Sequence, residues 1–413
     1  MSEPRLRPRA FRDPYGLLPS GSRVAPALAL VGLAVIAFLT VGLMQGQLPI
    51  VSGGGGGGGG GGLATPVASG IVVDPRADVP GTIVYAKGGA IYAQSGKDVR
   101  QLTSGHEDSM PAWSSDGSSV YFIRTTSAYT KWSLNGAVTQ YVLTYPLLMR
   151  VPASGGAPQQ LATGLFSKGS YSWFFWIRQP APDPADPNRV AVVSDGPDPL
   201  RSDTVLQLFD VTSGKSSVVK GLTETPPLGH QDPTWRPDGA LLLYTRNGRD
   251  GSRGAPEIWA WDPGTAKSRQ VTSAGYLQPS WSPDGRYFAA TKTSQYGTDV
   301  VVIDPATGAE VLRVTSDGES FAPAWSPRGD AIAYLHSQGG IIDLRMASLE
   351  GSGAAAKVTG TIDLTTVSGL DGMSRPSWYI PASELPPSPS PSPSVAASAT
   401  IGPSSRPSPS PSR

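Results

Sequence analysis

"PSWSPDG", residues 279–285, recurs along the chain as "PAWSSDG" at 111–117, "PTWRPDG" at 233–239 and "PAWSPRG" at 323–329. Each copy reads as the end of a strand followed by a tight reversal. Proline presets φ, aspartate bonds back to the backbone and glycine supplies φ > 0, so the chain turns as a hairpin. Alternating or apolar β sequence follows, as in "ALLLYTR" (240–246) and "YFAATK" (287–292). A third strand comes next ("EIWAWD" from 257, "DVVVID" from 299). A glycine turn and a fourth strand complete the unit, ending in "RQVT" (269–272), "LRVT" (312–315) or "AKVT" (356–359). Four strands joined by tight turns make one propeller blade.

The tryptophans count the blades. Trp113, Trp173 (in "SYSWFFW"), Trp235, Trp281, Trp325 and Trp378 (in "RPSWYIP") recur at intervals of 44 to 62 residues, one supersecondary unit with loop insertions. One Trp at the same place in every blade reads as core between blades. Residues 81–103 read as the second, third and fourth strands of a blade that lacks its Trp strand, whereas the strand around Trp378 has no partner after it. Joining the two ends removes an exposed sheet edge. The sequence therefore predicts an all-β fold over residues 81–382: a six-bladed propeller of four-stranded antiparallel blades, closed by three N-terminal strands and one C-terminal strand.

The flanks are of another kind. Residues 24–46 carry no charge and are long enough to span a bilayer as one helix, with Arg5, Arg7, Arg9, Arg12 and Arg23 ahead of it. A cytoplasmic segment 1–23, a transmembrane signal anchor and an extracytoplasmic propeller are expected; a cleaved signal peptide is the other reading. Residues 47–80 include ten consecutive glycines, Gly53–Gly62, without the Lys-Ser/Thr of a phosphate loop. They read as a flexible tether of about 30 Å reach. Residues 383–413 form a Pro/Ser-rich tail with almost no apolar side chains to bury, expected to be disordered and polyproline-like.

Composition removes several functions. With 33 Lys+Arg against 32 Asp+Glu there is no global field for nucleic acid, and without cysteine there is no disulfide or thiolate chemistry. No G-x-S-x-G elbow occurs, and "HEDSM" from His106 places Met110 where a second zinc ligand would stand.

The units "QLTSGHEDSMPAWSSDGSSVYF" (101–122), "QVTSAGYLQPSWSPDGRYFAA" (270–290) and "RVTSDGESFAPAWSPRGDAIAY" (313–334) resemble the propeller repeats of the TolB-like family, and the resemblance covers about residues 81–382. It implies a binding platform for other envelope proteins. The third blade departs from it, with an Asp/Pro-rich stretch where the corner belongs, and blade two carries a long insertion, "SAYTKWSLNGAVTQYVLTYP".

Polar residues just before the Trp strands are candidates for a site at the channel mouth: His106, Glu107, Asp108, His230, Gln231 and Asp232, with Tyr276, Gln278, Glu319 and Phe321 on later blades. Such a ring has the donors for a divalent cation or for a basic group of a partner, and equally suits solvated strand entrances. No other cofactor is predicted. Trp132, beside Tyr129 and Tyr141 in the blade-two insertion, is the candidate exposed aromatic contact, a packed strand being the alternative. The function expected is a non-enzymatic binding or scaffolding module of the bacterial envelope, membrane-attached through residues 24–46, with an envelope protein or cell-wall component as partner. The alternatives are a metal-assisted lyase or hydrolase at the channel mouth, or a ligand sensor.

Overall fold

The computed structural model describes residues 74–104, 107–134, 137–168, 171–195, 204–222, 229–246 and 255–385. The expected membrane helix, the glycine tether, His106 and all but the first residues of the tail lie outside them. Among the described residues no helix is long and apolar enough to cross a membrane.

Six four-stranded antiparallel sheets form the blades. Blade 1 is Ser377–Tyr379, Thr82–Lys87, Ala90–Ser95 and Asp98–Gln101, in that spatial order, so the ring closes by three strands plus one as expected. Blades 2 to 6 open with inner strands Glu107–Trp113, Ile177–Pro182, His230–Trp235, Tyr276–Trp281 and Ser320–Trp325. Each inner strand begins on what we call the front face and ends at the Trp corner on the opposite, corner face.

The tryptophan register holds in five blades. Trp113, Trp235, Trp281, Trp325 and Trp378 stand opposite Val120, Leu242, Phe288, Ile332 and Ile83 of their second strands. Each packs on the preceding blade. Trp281 joins Leu243, Ile258 and Ala260 of blade 4, and Trp235 joins Ala191, Val193 and Leu206 of blade 3.

Trp173 is the exception and corrects the sequence reading. It lies in a separate hairpin, Leu165–Lys168 with Tyr171–Phe174, between blades 2 and 3. Pro182, opposite Val190, occupies the blade-3 tryptophan position. The seam there is filled by Tyr121, Ile123, Leu148, Ile177 and Phe209 with no tryptophan. The Asp/Pro stretch is a corner one residue longer than the rest: Asp183 N–H bonds Arg189 O, whereas Ser282 N–H bonds Tyr287 O.

Corner glycines pack against neighbouring corners. A Cβ on Gly117 would fall 2.0 Å from the Tyr379 ring, whereas one on Gly88 would meet nothing within 4 Å, although both residues have positive φ. Blade two's insertion is not a loop. It lengthens the second and third strands into Ser119–Leu134 and Ala137–Pro152, a hairpin that rises beyond the front face.

Trp281→Ala should remove about 3 to 5 kcal/mol of stability through a core cavity, as read by urea unfolding. Trp173→Ala, outside the ring core, is expected to cost clearly less.

Candidate functional site

The channel wall is built from one repeated strain. In five inner strands the residue before the proline has positive φ: Met110 at 54°, Gln179 at 50°, Asp232 at 53°, Gln278 at 55° and Ala322 at 53°. The strand register shifts at each of them, which marks a β-bulge. A bulge leaves its N–H without a ladder partner, and a side chain of the preceding blade accepts it. Met110 N–H donates to Ser374 Oγ (2.8 Å), Gln179 N–H to Met110 Sδ (3.3 Å) and Asp232 N–H to Gln179 Oε1 (2.9 Å). Gln278 N–H then donates to Thr245 Oγ1 (3.1 Å), and Ala322 N–H to Gln278 Oε1 (3.0 Å). Thr245 closes the link to Asp232 Oδ2 at 3.0 Å, while Gln179 Nε2 reaches Asp232 Oδ1 at 2.7 Å. A chain of polar contacts thus runs from blade 1 round to blade 6.

This arrangement decides what the sequence candidates do. Asp232 and Gln278 are buried links of the chain. Asp108 is buried and held by Arg124 at 2.6 and 2.8 Å. His230 is buried with its ring edge-on to Tyr244, centroids 4.8 Å apart, and Gln231 beside it is also buried. Phe321 packs into the core shared by blades 6 and 1. Glu107 and Glu319 are exposed. The expected ring therefore separates into buried inter-blade ties and solvent-facing positions. Trp132 pairs with Thr139 in the hairpin, on the same strand as Tyr129, whose side chain is exposed.

Tyr276 turns to its own blade. Its O–H donates to Glu310 Oε1 at 2.5 Å, and Lys292 Nζ also bonds that carboxylate. Burial, then the Glu310 carboxylate, pushes the Tyr276 hydroxyl up to about 12. Burial pushes Glu310 upward, but the hydrogen bonds from Lys292 and Tyr276 outweigh it and hold the carboxyl below its ordinary range.

Two groups escaped sequence reasoning. His336 is buried in blade 6 between Asp317, 3.4 Å from Nδ1, and Glu319, 3.5 Å from Nε2. The carboxylates approach opposite ring nitrogens, so they do not converge on one cation. Among the described residues no group of three His, Cys, Asp or Glu could hold a metal ion. Arg375 precedes the closing strand, and its guanidinium spans the channel to Pro279 O (2.7 Å) and Pro233 O (3.0 Å) of blades 5 and 4. In blade 1 the loop Asp371–Pro376 replaces the single-residue bulge, which releases the arginine into the channel; only "SRPSW" in place of "LQPSW" hinted at it.

The fold and the wall geometry define a closed six-bladed β-propeller. No family model matches the sequence, and no curated protein matches it. Among solved structures it is similar to TolB from Acinetobacter baumannii, at 16% identity and TM-score 0.50 over 72% of this chain and 66% of that one. It is similar to the putative TolB from Agrobacterium tumefaciens at 15% identity and TM-score 0.50, over 73% of this chain and 94% of that one. The chain thus has the TolB-like propeller fold, and spans just under two thirds of the Acinetobacter protein.

Arg375→Ala should lower stability by roughly 1.5 to 3 kcal/mol for each charge-assisted bond lost, measured by chemical unfolding. Glu310 offers a pH test. Because its folded-state pKa is lowered, its contribution is complete above the ordinary carboxylate range and is lost as pH falls through the lowered value. Glu310→Gln should therefore destabilise the protein at pH 7, and the difference from the native chain should shrink towards zero as pH falls through that lowered value.

Proposed function

We propose that this propeller is a non-enzymatic protein-binding module displayed outside the cytoplasmic membrane on residues 24–46, and that it takes its partner on the front face. The observation that carries this reading is where apolar side chains meet water. Among the described residues the exposed large hydrophobics are Tyr129, Val138, Val142, Tyr296, Ile341 and Val367, with Val99 and Val218 on outermost strands. Tyr129, Val138 and Val142 stand on the part of the blade-2 hairpin that rises beyond the front face, Ile341 begins a third strand there, and Tyr296 and Val367 lie on connections at that face. None of these six lies on the corner face. Apolar side chains left in solvent on one face of a folded domain support reading that face as the interaction surface.

Topology supports the same orientation. The closing strand ends, and the first strand begins, at the corner face, so both flanking segments leave from there. A membrane anchor on that side leaves the front face pointing away. Of the candidate channel-mouth side chains among the described residues, Asp108, Asp232 and His230 are buried between strands, which favours binding over turnover there.

In-cell crosslinking of the full chain tests this. Tyr129→Ser with Tyr296→Ser and Val367→Ser should abolish the crosslinked partner while leaving the unfolding midpoint unchanged. Lys215→Ser with Arg286→Ser, on the opposite side, should leave it intact. Loss only with the second pair would reverse the assignment of faces.

A further inference from the structure

A cleft of about 540 Å³ opens on the corner side between blades 1 and 2, where the ring closes. Its floor is an aromatic pair, Trp113 and Tyr379, with ring centroids 5.4 Å apart and planes tilted by 37°. Both rings are half-buried, so each keeps a face towards the cleft. The pair is held rigidly. Tyr379 O–H donates to Asp116 O at 2.9 Å, and its ring fills the space beside Gly117 that any side chain there would need. Arg100 forms a wall, fixed by the carbonyls of Ala153 (2.7 Å) and Ser154 (2.5 Å).

The described chain ends at this cleft. Pro381 and Glu384 line it, and Arg328 of blade 6 holds the Glu384 carbonyl at 3.1 Å. Two residues later the sequence runs "PPSPSPSP", 386–393. We propose that this cleft seats the chain's own proline-rich tail, residues 386–393, laid in polyproline II form across Trp113 and Tyr379.

The chemistry of the two surfaces matches. Proline rings stack on rigid aromatic faces, and a polyproline II segment binds with little further loss of conformational freedom. Its carbonyls are unpaired along its length, and Lys97 on the cleft wall is an exposed donor for them. Eight residues at about 3.1 Å each span roughly 25 Å, enough to cross a cleft of this volume. Because the segment is tethered beside its seat, its effective concentration is on the order of millimolar, so a groove too weak to hold a free peptide would still be filled. A seated tail would brace Tyr379, and with it the strand that closes the ring. It would also keep residues 386–393 on the corner face, clear of the front face.

The chain has no cysteine, so two introduced thiols report on each other alone. Full-length protein carrying Asp98→Cys, on the cleft wall, and Ser392→Cys is treated with oxidised glutathione, and the rate of disulfide formation within one chain is read on gels. The same pair is then placed in a tail with Pro386, Pro387, Pro389, Pro391 and Pro393 changed to Ala. These changes lie outside the propeller and leave its folding untouched. A seated tail forms the bond at least about tenfold faster with its prolines than without them, since only chance encounters of the tether remain in the variant. Equal rates in the two tails would overturn the proposal. A disulfide that joins two chains would also overturn it, assigning the cleft to a second copy.

Discussion

Three residues, Ser377–Tyr379, hold the ring shut. They pair antiparallel with Thr82–Val84 across nearly the whole propeller, and the entropy of closing so long a loop must be offset locally. The short strand does so through its neighbours. Trp378 is buried in the core between blades 6 and 1, and its indole N–H donates to Pro80 O at 2.9 Å. Ser377 Oγ accepts Trp113 N–H from blade 2, and Tyr379 reaches the blade-2 corner. The loop before the strand supplies Ser374 to the start of the polar chain and Arg375 to blades 4 and 5. Residues 374–379 thus touch most of the ring.

The closed ring also explains why buried polarity is concentrated at the channel. A bulge in five of the six inner strands turns an N–H towards the neighbouring blade, where no β-ladder exists to receive it. Leaving it unpaired would cost about 1 to 3 kcal/mol. Side chains of Ser374, Gln179, Thr245 and Gln278 meet that need one blade at a time. The buried polar residues of the channel wall, Asp232 and Gln278 among them, are consequently structural.

Much of the fold was legible because corner turns have strong local chemistry. Pro-Asp-Gly and the Trp before it fixed blades 4 and 5, and the unmatched strands at 81–103 and Trp378 fixed the closure. Blade 3 misled because Pro182 stands where the Trp belongs, while Trp173 nearby imitates it. The blade-2 insertion was legible only as extra length between the second and third strands; that both strands run on into it is a finding of the structure. The candidate site was legible in position but not in burial. Strand alternation says which face a residue takes, not that a neighbouring blade covers it, and the bulge residues Met110, Gln179, Asp232, Gln278 and Ala322 share no side-chain type that would announce a positive φ.

Native-state hydrogen exchange tests the central claim, that a three-residue strand makes the six blades one cooperative unit. Amides of Thr82–Lys87 in blade 1 and of Leu242–Arg246 in blade 4 should exchange with the same free energy, equal to that of global unfolding. Blade-1 amides that exchange through a cheaper opening, while blade 4 remains protected, would show that the ring opens at the seam and contradict this account.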